Sequence, residues 1–177
     1  MIPDNEYCLG DVMIDEEHIA MRAAEIGKLI SEEFRGEELL LVCILKGAVM
    51  WLADIIKRID IDVSMDFMAV ESYGASTKST GVVKIVKDLD IPIEGKNVII
   101  VEDIVDSGIT LNYLKNYLLG RGPKCLKICT LLDKPAGRKV DIDVDYVGFT
   151  VEDKFIVGYG LDFNQRYRNI PYITCLV

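Results

Sequence analysis

Three carboxylates and a Ser-Gly turn lie within one short stretch, residues 98–110, which reads Val-Ile-Ile-Val-Glu-Asp-Ile-Val-Asp-Ser-Gly-Ile-Thr. The adjacent carboxylates of Glu102 and Asp103 suit a ribose diol or a hydrated Mg²⁺, which prefers oxygen ligands and keeps several waters. The turn at 107–108 precedes apolar residues at helical spacing, and free N–H groups at a helix N-terminus bind anions, most often phosphate. The stretch therefore predicts a phosphate site beside a diol or metal site, with Asp106 between them.

These thirteen residues match the motif that binds phosphoribosyl pyrophosphate (PRPP) in the type I phosphoribosyltransferases. Further segments, over residues 10–177, make the chain resemble a hypoxanthine-guanine phosphoribosyltransferase of the short bacterial kind. The resemblance implies a purine-salvage enzyme that transfers the 5-phosphoribosyl group from PRPP to hypoxanthine or guanine. The products would be IMP or GMP and pyrophosphate. Without the family, the same pattern describes a doubly wound domain in which one strand ends in two acids.

The resemblance places the 5′-phosphate of PRPP on the turn that follows the strand, at Asp106, Ser107, Gly108, Ile109 and Thr110. It also makes Asp106 the proton acceptor for N7 of the purine; the alternative is that this acid only shapes the turn. Mg²⁺ is the implied cofactor, and its candidate ligands are Glu102, Asp103 and Asp162. The longer eukaryotic members carry lysine where this chain has Ile109, which matters little if the backbone amide is the contact.

Further residues are implied as ligands of the leaving pyrophosphate and of the base. The backbone amides of Lys46 and Gly47, after a peptide bond that can be cis in the family, and the side chain of Arg168 would bind pyrophosphate. Lys134 would donate to O6, which favours 6-oxopurines because adenine offers no acceptor there. The other implied purine contacts are a stacking ring, a backbone partner of the Watson–Crick edge and a nearby carboxylate: Phe155, Ile156 and Asp162. Taken alone, an aromatic residue such as Phe155 in an apolar run is typical of a core.

A long hairpin is predicted from two strands, 63–72 and 81–87, which flank small polar residues. In the family this loop, 72–82 here, is a flexible lid over the active site, and Ser72-Tyr73 matches the pair that caps it. Closure would exclude water from an oxocarbenium-like ribosyl cation, the kind of species through which glycoside hydrolysis also passes. Taken alone, the loop is typical of a disordered surface segment.

Strands and helices alternate through the first two-thirds of the chain, which predicts an α/β fold with a central, mostly parallel sheet flanked by helices. The predicted helices are 15–34, 48–58 and 110–119, and further strands are predicted at 39–45, 98–101, 125–132, 140–147 and 171–177, with a short strand or extended arm within 5–14. Ligands of such sheets bind beyond the carboxyl ends of the strands. Residues 45–47, 102–110 and Lys134 should therefore meet at one edge.

We expect one phosphoribosyltransferase domain over residues 1–177, with a core at about 36–135, a small hood from about 1–14 and 136–177, and the lid. The net charge of −9 and a pI of about 4.7 argue against nucleic acid or an anionic membrane as a partner. No apolar run approaches the ~20 residues of a membrane span, and the acidic start lacks the basic region of a signal peptide.

Five cysteines, without a Cys-x-x-Cys pair, indicate reduced thiols in a cytoplasmic protein. The single histidine, His18, argues against a Ser-His-Asp triad, a Cys-His pair or a multi-histidine metal site. The family usually forms homodimers or homotetramers, and we expect the same here. The spacing of Asp141, Asp143 and Asp145 resembles a calcium loop, but Tyr146 occupies the position that requires glycine.

Three rival functions remain open at this point. The chain could prefer xanthine, or xanthine and guanine, over hypoxanthine. It could be a non-catalytic regulator that binds RNA and senses nucleotides, although its acidic charge disfavours that function. It could also be a generic nucleotide-binding module without chemistry.

Overall fold

The computed structural model describes residues 8–73 and 82–177. The predicted lid, with the side chains of Ser72 and Tyr73, lies outside the described residues except for the backbone at its two ends. In chain order the elements are β1 (Leu9–Ile14), α1 (Glu16–Glu33), β2 (Leu39–Leu45), α2 (Val49–Ile56), β3 (Val63–Tyr73), β4 (Val82–Lys87), β5 (Asn97–Val105), α3 (Ile109–Leu119), β6 (Cys125–Asp133), β7 (Tyr146–Thr150), β8 (Ile156–Val157) and β9 (Ile173–Leu176).

The described residues form two sheets. The larger has the strand order β4-β3-β2-β5-β6-β7, and every neighbouring pair is parallel except β3 with β4. The smaller has the order β1-β9-β8, with antiparallel pairs that bring the two ends of the described chain together. The predicted α/β class with a mostly parallel central sheet is confirmed.

The central strands β2 and β5 are buried on both faces, as their uninterrupted apolar sequences predict. One face packs against α1 and α2, through a core that includes Ile26, Trp51 and Ile99. The opposite face packs against α3, through a core that includes Ile100, Leu111 and Leu114. The helices thus cover both faces of the central sheet, and polar groups can lie together only at the ends of its strands.

Helix α1 begins and ends as predicted. The carboxylate of Asp15 accepts a hydrogen bond from the His18 amide at 2.9 Å, and two acids follow in the first turn, where the helix dipole favours them. Its buried face repeats at helical spacing and docks on α2 and β7. His18 is exposed at the surface, and its ring contacts only the neighbouring Asp15 among the contacts found in the described chain.

The strand predicted at 140–147 is largely wrong, because regular pairing begins only at Tyr146. The preceding backbone instead donates from Lys139 and Val140 to the Ser107 carbonyl, at 2.9 and 3.1 Å, and Ile142 packs into the core beside α3. The apolar residues of this stretch alternate because one side of it packs on the core, although no strand of the described chain pairs with it. The stretch therefore supports the turn between β5 and α3.

Among the described residues, none of the helices combines the length and the apolar character that crossing a membrane would require.

Candidate functional site

The carboxyl ends of β2, β5 and β6 meet at one edge of the sheet, as the topology predicts. The loop after β2 starts with a cis peptide between Leu45 and Lys46. Gly47 lies against Asp103 of β5, so closely that a Cβ there would sit 1.5 Å from the Asp103 Oδ2. The Lys134 amide, just after β6, donates to the Val105 carbonyl at 3.0 Å. All three predicted loops are therefore in direct contact.

A cavity of about 110 Å³ opens at the N-terminus of α3. Gly108 precedes the helix with φ at +78°, the left-handed region that favours glycine, and it has no side chain with which to cap the helix. The Ser107 Oγ accepts only a long hydrogen bond, of 3.4 Å, from the Ile109 amide. Four of the five residues predicted to hold phosphate line this cavity, namely Asp106, Ser107, Gly108 and Thr110. Uncapped helical N–H groups around a small polar cavity have the properties of a phosphate site.

Glu102 and Asp103 are the last acids of β5, and both belong to the strand itself, which extends four residues beyond the predicted end. Only 9% of Glu102 is exposed. Burial, and secondarily the Asp103 charge, raises the pKa of Glu102 well above its usual value. Burial also raises the pKa of Asp103 to about 6, although the Ile104 amide donates to its carboxylate at 2.7 Å. A cation would relieve the cost of holding both groups charged.

This pair of carboxylates fits a divalent cation that takes most of its ligands from outside the protein. The described residues contain no cluster of three or more His, Cys, Asp or Glu that could hold a metal alone. Mg²⁺ commonly takes one or two protein carboxylates and fills its remaining positions with water and substrate phosphates. The pair Glu102 and Asp103 provides two such carboxylates.

Lys134 is held between two carboxylates. Its ammonium lies 3.0 Å from Asp106 Oδ2 and 3.1 Å from Asp153 Oδ1, while only 11% of its side chain is exposed. Burial alone would lower the pKa of Lys134, but its hydrogen bonds to both carboxylates outweigh burial and raise it. The lysine is therefore a charged donor beside the predicted proton acceptor.

Phe155 is a surface residue, contrary to the core position that its apolar neighbours would indicate. Its side chain is among the exposed aromatics, at 55%, and the ring meets Phe163 edge-on with centroids 5.5 Å apart. Ile156 is buried in β8, and the Leu176 amide anchors the Phe155 carbonyl at 2.9 Å. One face of an anchored ring is left available for stacking.

Arg168 connects the segment between β8 and β9 to the loop after β2. Its guanidinium pairs with Asp162 at 2.5 Å and donates to the Gly160 carbonyl at 2.6 Å. Gly160 packs on Gly47, where a Cβ would lie 2.1 Å from the Gly47 carbonyl oxygen. The Nε of Arg168 is buried and has no hydrogen-bond partner among the described residues, which leaves a donor available.

Lys46 reaches the same segment through Gln165, whose amide oxygen accepts long hydrogen bonds from Lys46 at 3.5 Å and from Arg168 at 3.4 Å. Gln165 is one of four non-glycine residues with positive φ in this part of the chain; the others are Tyr159, Asn164 and Tyr167. Strained backbone of this kind gathers at binding sites. The structure thus brings Lys46 and Arg168, two of the residues predicted to bind pyrophosphate, to one place.

The sequence analysis did not identify three residues of the site, namely Asp153, Gln165 and Gly160. Asp153 stands between Glu152 and Lys154 and looks like ordinary surface charge. Gln165 carries no motif of its own. Gly160 could have been found, because two glycines at 158 and 160 indicate a close backbone approach.

Comparison with known proteins places the chain in a family. Residues 13–164 match the family described as phosphoribosyl transferase domain. Hypoxanthine-guanine phosphoribosyltransferase of Bacillus subtilis is 53% identical and covers 93% of this chain and 92% of its own length. Hypoxanthine phosphoribosyltransferase of Salmonella typhimurium is 49% identical, with 94% and 95% covered. The crystal structure of a hypoxanthine phosphoribosyltransferase from Staphylococcus aureus superposes with a TM-score of 0.92 at 47% identity, over 96% of this chain and 92% of that one. This chain belongs to the phosphoribosyltransferase family.

Proposed function

We propose that this chain is a purine-salvage enzyme that transfers the 5-phosphoribosyl group from PRPP to hypoxanthine or guanine and releases pyrophosphate. The relatives that carry those names match it over nearly their whole length. One structural observation supports the proposal most. The cavity at the N-terminus of α3 is lined by the buried Glu102, next to the half-buried Asp103, and by Asp106, which pairs with Lys134. A phosphate, a ribose and a base can therefore be bound side by side.

In the proposed complex, the 5′-phosphate sits on the backbone amides of 106–110, with help from the Ser107 and Thr110 hydroxyls. The carboxylates of Glu102 and Asp103 hold the 2′- and 3′-hydroxyls of the ribose. Mg²⁺ bound at these acids, with Asp162 as a further candidate ligand, would offset the charge that develops on the leaving pyrophosphate. The positive end of the α3 dipole also favours the phosphate.

The base is oriented by Asp106 and Lys134. N7 and O6 lie next to each other on the purine edge, and the two side chains are 3.0 Å apart, so each can face one of these atoms. Asp106 accepts the N7 proton, for which hydrogen-bond reach is the first requirement. Phe155 stacks on the ring, and the backbone of Ile156 pairs with its Watson–Crick edge.

Pyrophosphate is held by the amides of Lys46 and Gly47 and by Arg168. The orphaned Nε of Arg168 gives the leaving group an already desolvated donor. The small sheet β1-β9-β8 serves as the hood, over about 1–14 and 136–177, on a core of about 36–135. Residues 72–82, with Ser72 and Tyr73, form the lid that excludes water from the ribosyl cation.

We further propose that the protein acts in the cytoplasm as a homodimer or homotetramer. All five cysteines are free thiols, which suits a reducing compartment. Exposed apolar side chains on β3 and β4, Met65 and Val86, are half or more exposed and would gain from a subunit contact. Sedimentation equilibrium of the purified chain measures the subunit number, and a monomer at micromolar concentration would contradict this assembly.

The decisive experiment is turnover of hypoxanthine, guanine and xanthine with PRPP, with and without Mg²⁺, followed by pyrophosphate release. We expect turnover of the first two bases that requires the metal. Replacement of Asp106 by Asn should reduce kcat by about 10²–10⁴-fold, the usual contribution of a positioned base. Xanthine as the preferred base would support the first rival. Absence of turnover with any base, or an unchanged rate for Asp106→Asn, would overturn the proposal, and a gel shift would then test RNA binding.

A further inference from the structure

Lys134 carries three N–H donors, and its ammonium pairs with two carboxylates on different loops. Asp106 belongs to the loop after β5, and Asp153 to the loop between β7 and β8. An ammonium group is free to rotate about its last bond when one partner holds it. Two partners fix its orientation, so the direction of the third N–H is fixed as well.

Asp153 is placed where it can couple this lysine to the base. It lies two residues before Phe155, the exposed aromatic ring, and three before the buried Ile156. The segment is anchored on both sides, because the Val151 amide donates to the Asp133 carbonyl at 2.9 Å and the Leu176 amide donates to the Phe155 carbonyl. The carboxylate that pairs with the lysine and the predicted stacking ring therefore lie on one segment that is hydrogen-bonded on both sides.

The backbone at Gly137 packs closely against both Asp106 and Lys134. A Cβ on Gly137 would lie 1.9 Å from Asp106 Oδ1 and 3.3 Å from the Lys134 Cε. The lysine stem is thus confined from the side of the loop after β6, and Asp106 is confined as well. The only described charged partners within ion-pair distance of its ammonium are Asp106 and Asp153.

We propose that Asp153 is a positioning residue for purine recognition, which holds the Lys134 ammonium so that its third N–H faces the 6-oxo group of the base. This assignment rests on the proposed function. Asp153 itself does not touch the base and acts through the lysine. Without Asp153, the ammonium would pair with Asp106 alone and could rotate about its last bond, so the N–H group that donates to O6 would no longer be held in one orientation.

The test compares three variants with the wild type. Asp153→Ala removes the second anchor, Asp153→Glu keeps a carboxylate, and Glu152→Ala is the matched control. Glu152 is the neighbouring acid, 77% of its side chain is exposed, and it pairs with Lys154 at 2.9 Å instead of with Lys134. The control removes the same charge from the same loop without freeing the lysine.

We expect Asp153→Ala to raise the KM for hypoxanthine roughly tenfold, because one charge-assisted hydrogen bond is lost. The KM for PRPP and kcat should change less than about twofold, since binding of the base alone is weakened. Asp153→Glu should recover most of the loss, and Glu152→Ala should behave as the wild type. Such a split between two substrates would not arise from a general loss of structure.

A binding measurement supplies a readout that does not depend on turnover. Calorimetry compares inosine monophosphate with the same nucleotide lacking the 6-oxo group. Asp153→Ala should weaken the first roughly tenfold and leave the second within about twofold. Equal weakening of both nucleotides would overturn the assignment, because Asp153 would then act on the structure as a whole.

The two proposals fail in different ways. If the active wild type and Asp153→Ala show the same KM for hypoxanthine, the assignment of Asp153 is wrong and the proposed function stands. If the wild type turns over no 6-oxopurine with PRPP, the proposed function fails and the assignment falls with it. Should Asp153→Ala not fold, a KM for hypoxanthine of Asp153→Asn that equals the wild type overturns the assignment.

Discussion

Asp66 and Glu102 are both buried carboxylates on the central sheet, and their surroundings drive their pKa values in opposite directions. Asp66 of β3 is 4% exposed and accepts three backbone N–H groups, from Phe67, Asp90 and Ile91, at 2.7 to 2.9 Å. These donors outweigh burial and lower the pKa of Asp66. At Glu102, burial and the adjacent Asp103 prevail, and the pKa rises.

The difference shows that burial alone does not decide whether an acid stabilises a fold. A carboxylate that receives three backbone donors replaces its water shell, and it fastens the loop after β4 to β3. A carboxylate that is buried beside a second acid, without such donors, lowers the stability of the folded chain. We infer that such a cost is kept where a ligand later offsets it, and Asp66 has no such part in the chemistry.

The largest effect is expected from Glu102→Gln combined with Asp103→Asn. Activity should fall at least about a hundredfold, because the proposed ribose and metal ligands are lost. The free energy of unfolding at pH 7 should stay equal or rise by about 1–3 kcal/mol, since two costly charges disappear. Steady-state rates and urea denaturation measure the two quantities. A large loss of stability would mean that the acids hold the fold as Asp66 does.

Asp66→Ala should show the reverse behaviour. Three backbone donors would lose their acceptor, and the protein should lose about 2–4 kcal/mol of stability. The fraction that remains folded should keep its kcat. The matched control is Asp90→Asn, whose side chain is 80% exposed and which should change little in urea denaturation. A large loss of kcat in folded Asp66→Ala would break the distinction between the two acids.

Gly47→Ala tests how closely the loop after β2 depends on Asp103. The new methyl would lie 1.5 Å from Asp103 Oδ2, so either the loop or the carboxylate must move. We expect the KM for PRPP to rise about tenfold, with the KM for the base nearly unchanged. Kinetics with each substrate varied in turn measures this. An unchanged KM for PRPP would show that the contact has no role in binding.

The smallest effect concerns pH. The pKa of Asp103 is raised to about 6 from about 3.9 in an unfolded chain. Asp103 therefore lowers the free energy of unfolding by its full amount above pH 6 and has no effect on it below about pH 4. The stability advantage of the Glu102→Gln, Asp103→Asn protein should therefore shrink as pH falls through that window. Asp66, whose pKa is lowered, behaves oppositely and loses its contribution as pH falls below its unfolded value. Urea titrations at several pH values measure both trends.

Local patterns made half of the site predictable. Strand β2, helix α1 and the turn before α3 follow from apolar runs, an N-cap and a left-handed glycine, all of which act over a few residues. The meeting of the three loops follows from parallel topology. Family resemblance supplied the roles of the individual side chains, and those roles stay predictions.

The remaining half depends on contacts between distant residues. Nothing local in the sequence connects Asp153 with Lys134, or Gln165 with Lys46, because each pair is joined only when separate loops pack together. The failed strand at 140–147 has the same origin. The predicted alternation of its side chains is present, but the backbone amides at its start donate to the Ser107 carbonyl and not to a neighbouring strand.

The turn at 106–110 lines its cavity, and no substitution except one to proline removes a main-chain N–H group. Variation at Ile109 is therefore tolerable, whereas Gly108 is bound by its positive φ and by the Val140 carbonyl, 2.8 Å from where a Cβ would stand. In a selection with a toxic purine analogue, resistant lineages should seldom carry lesions at 109 and should repeatedly carry them at 108. Inherited variation at Ile109 would thus leave the proposed sugar-phosphate contact intact, whereas a change at Gly108 would disturb it.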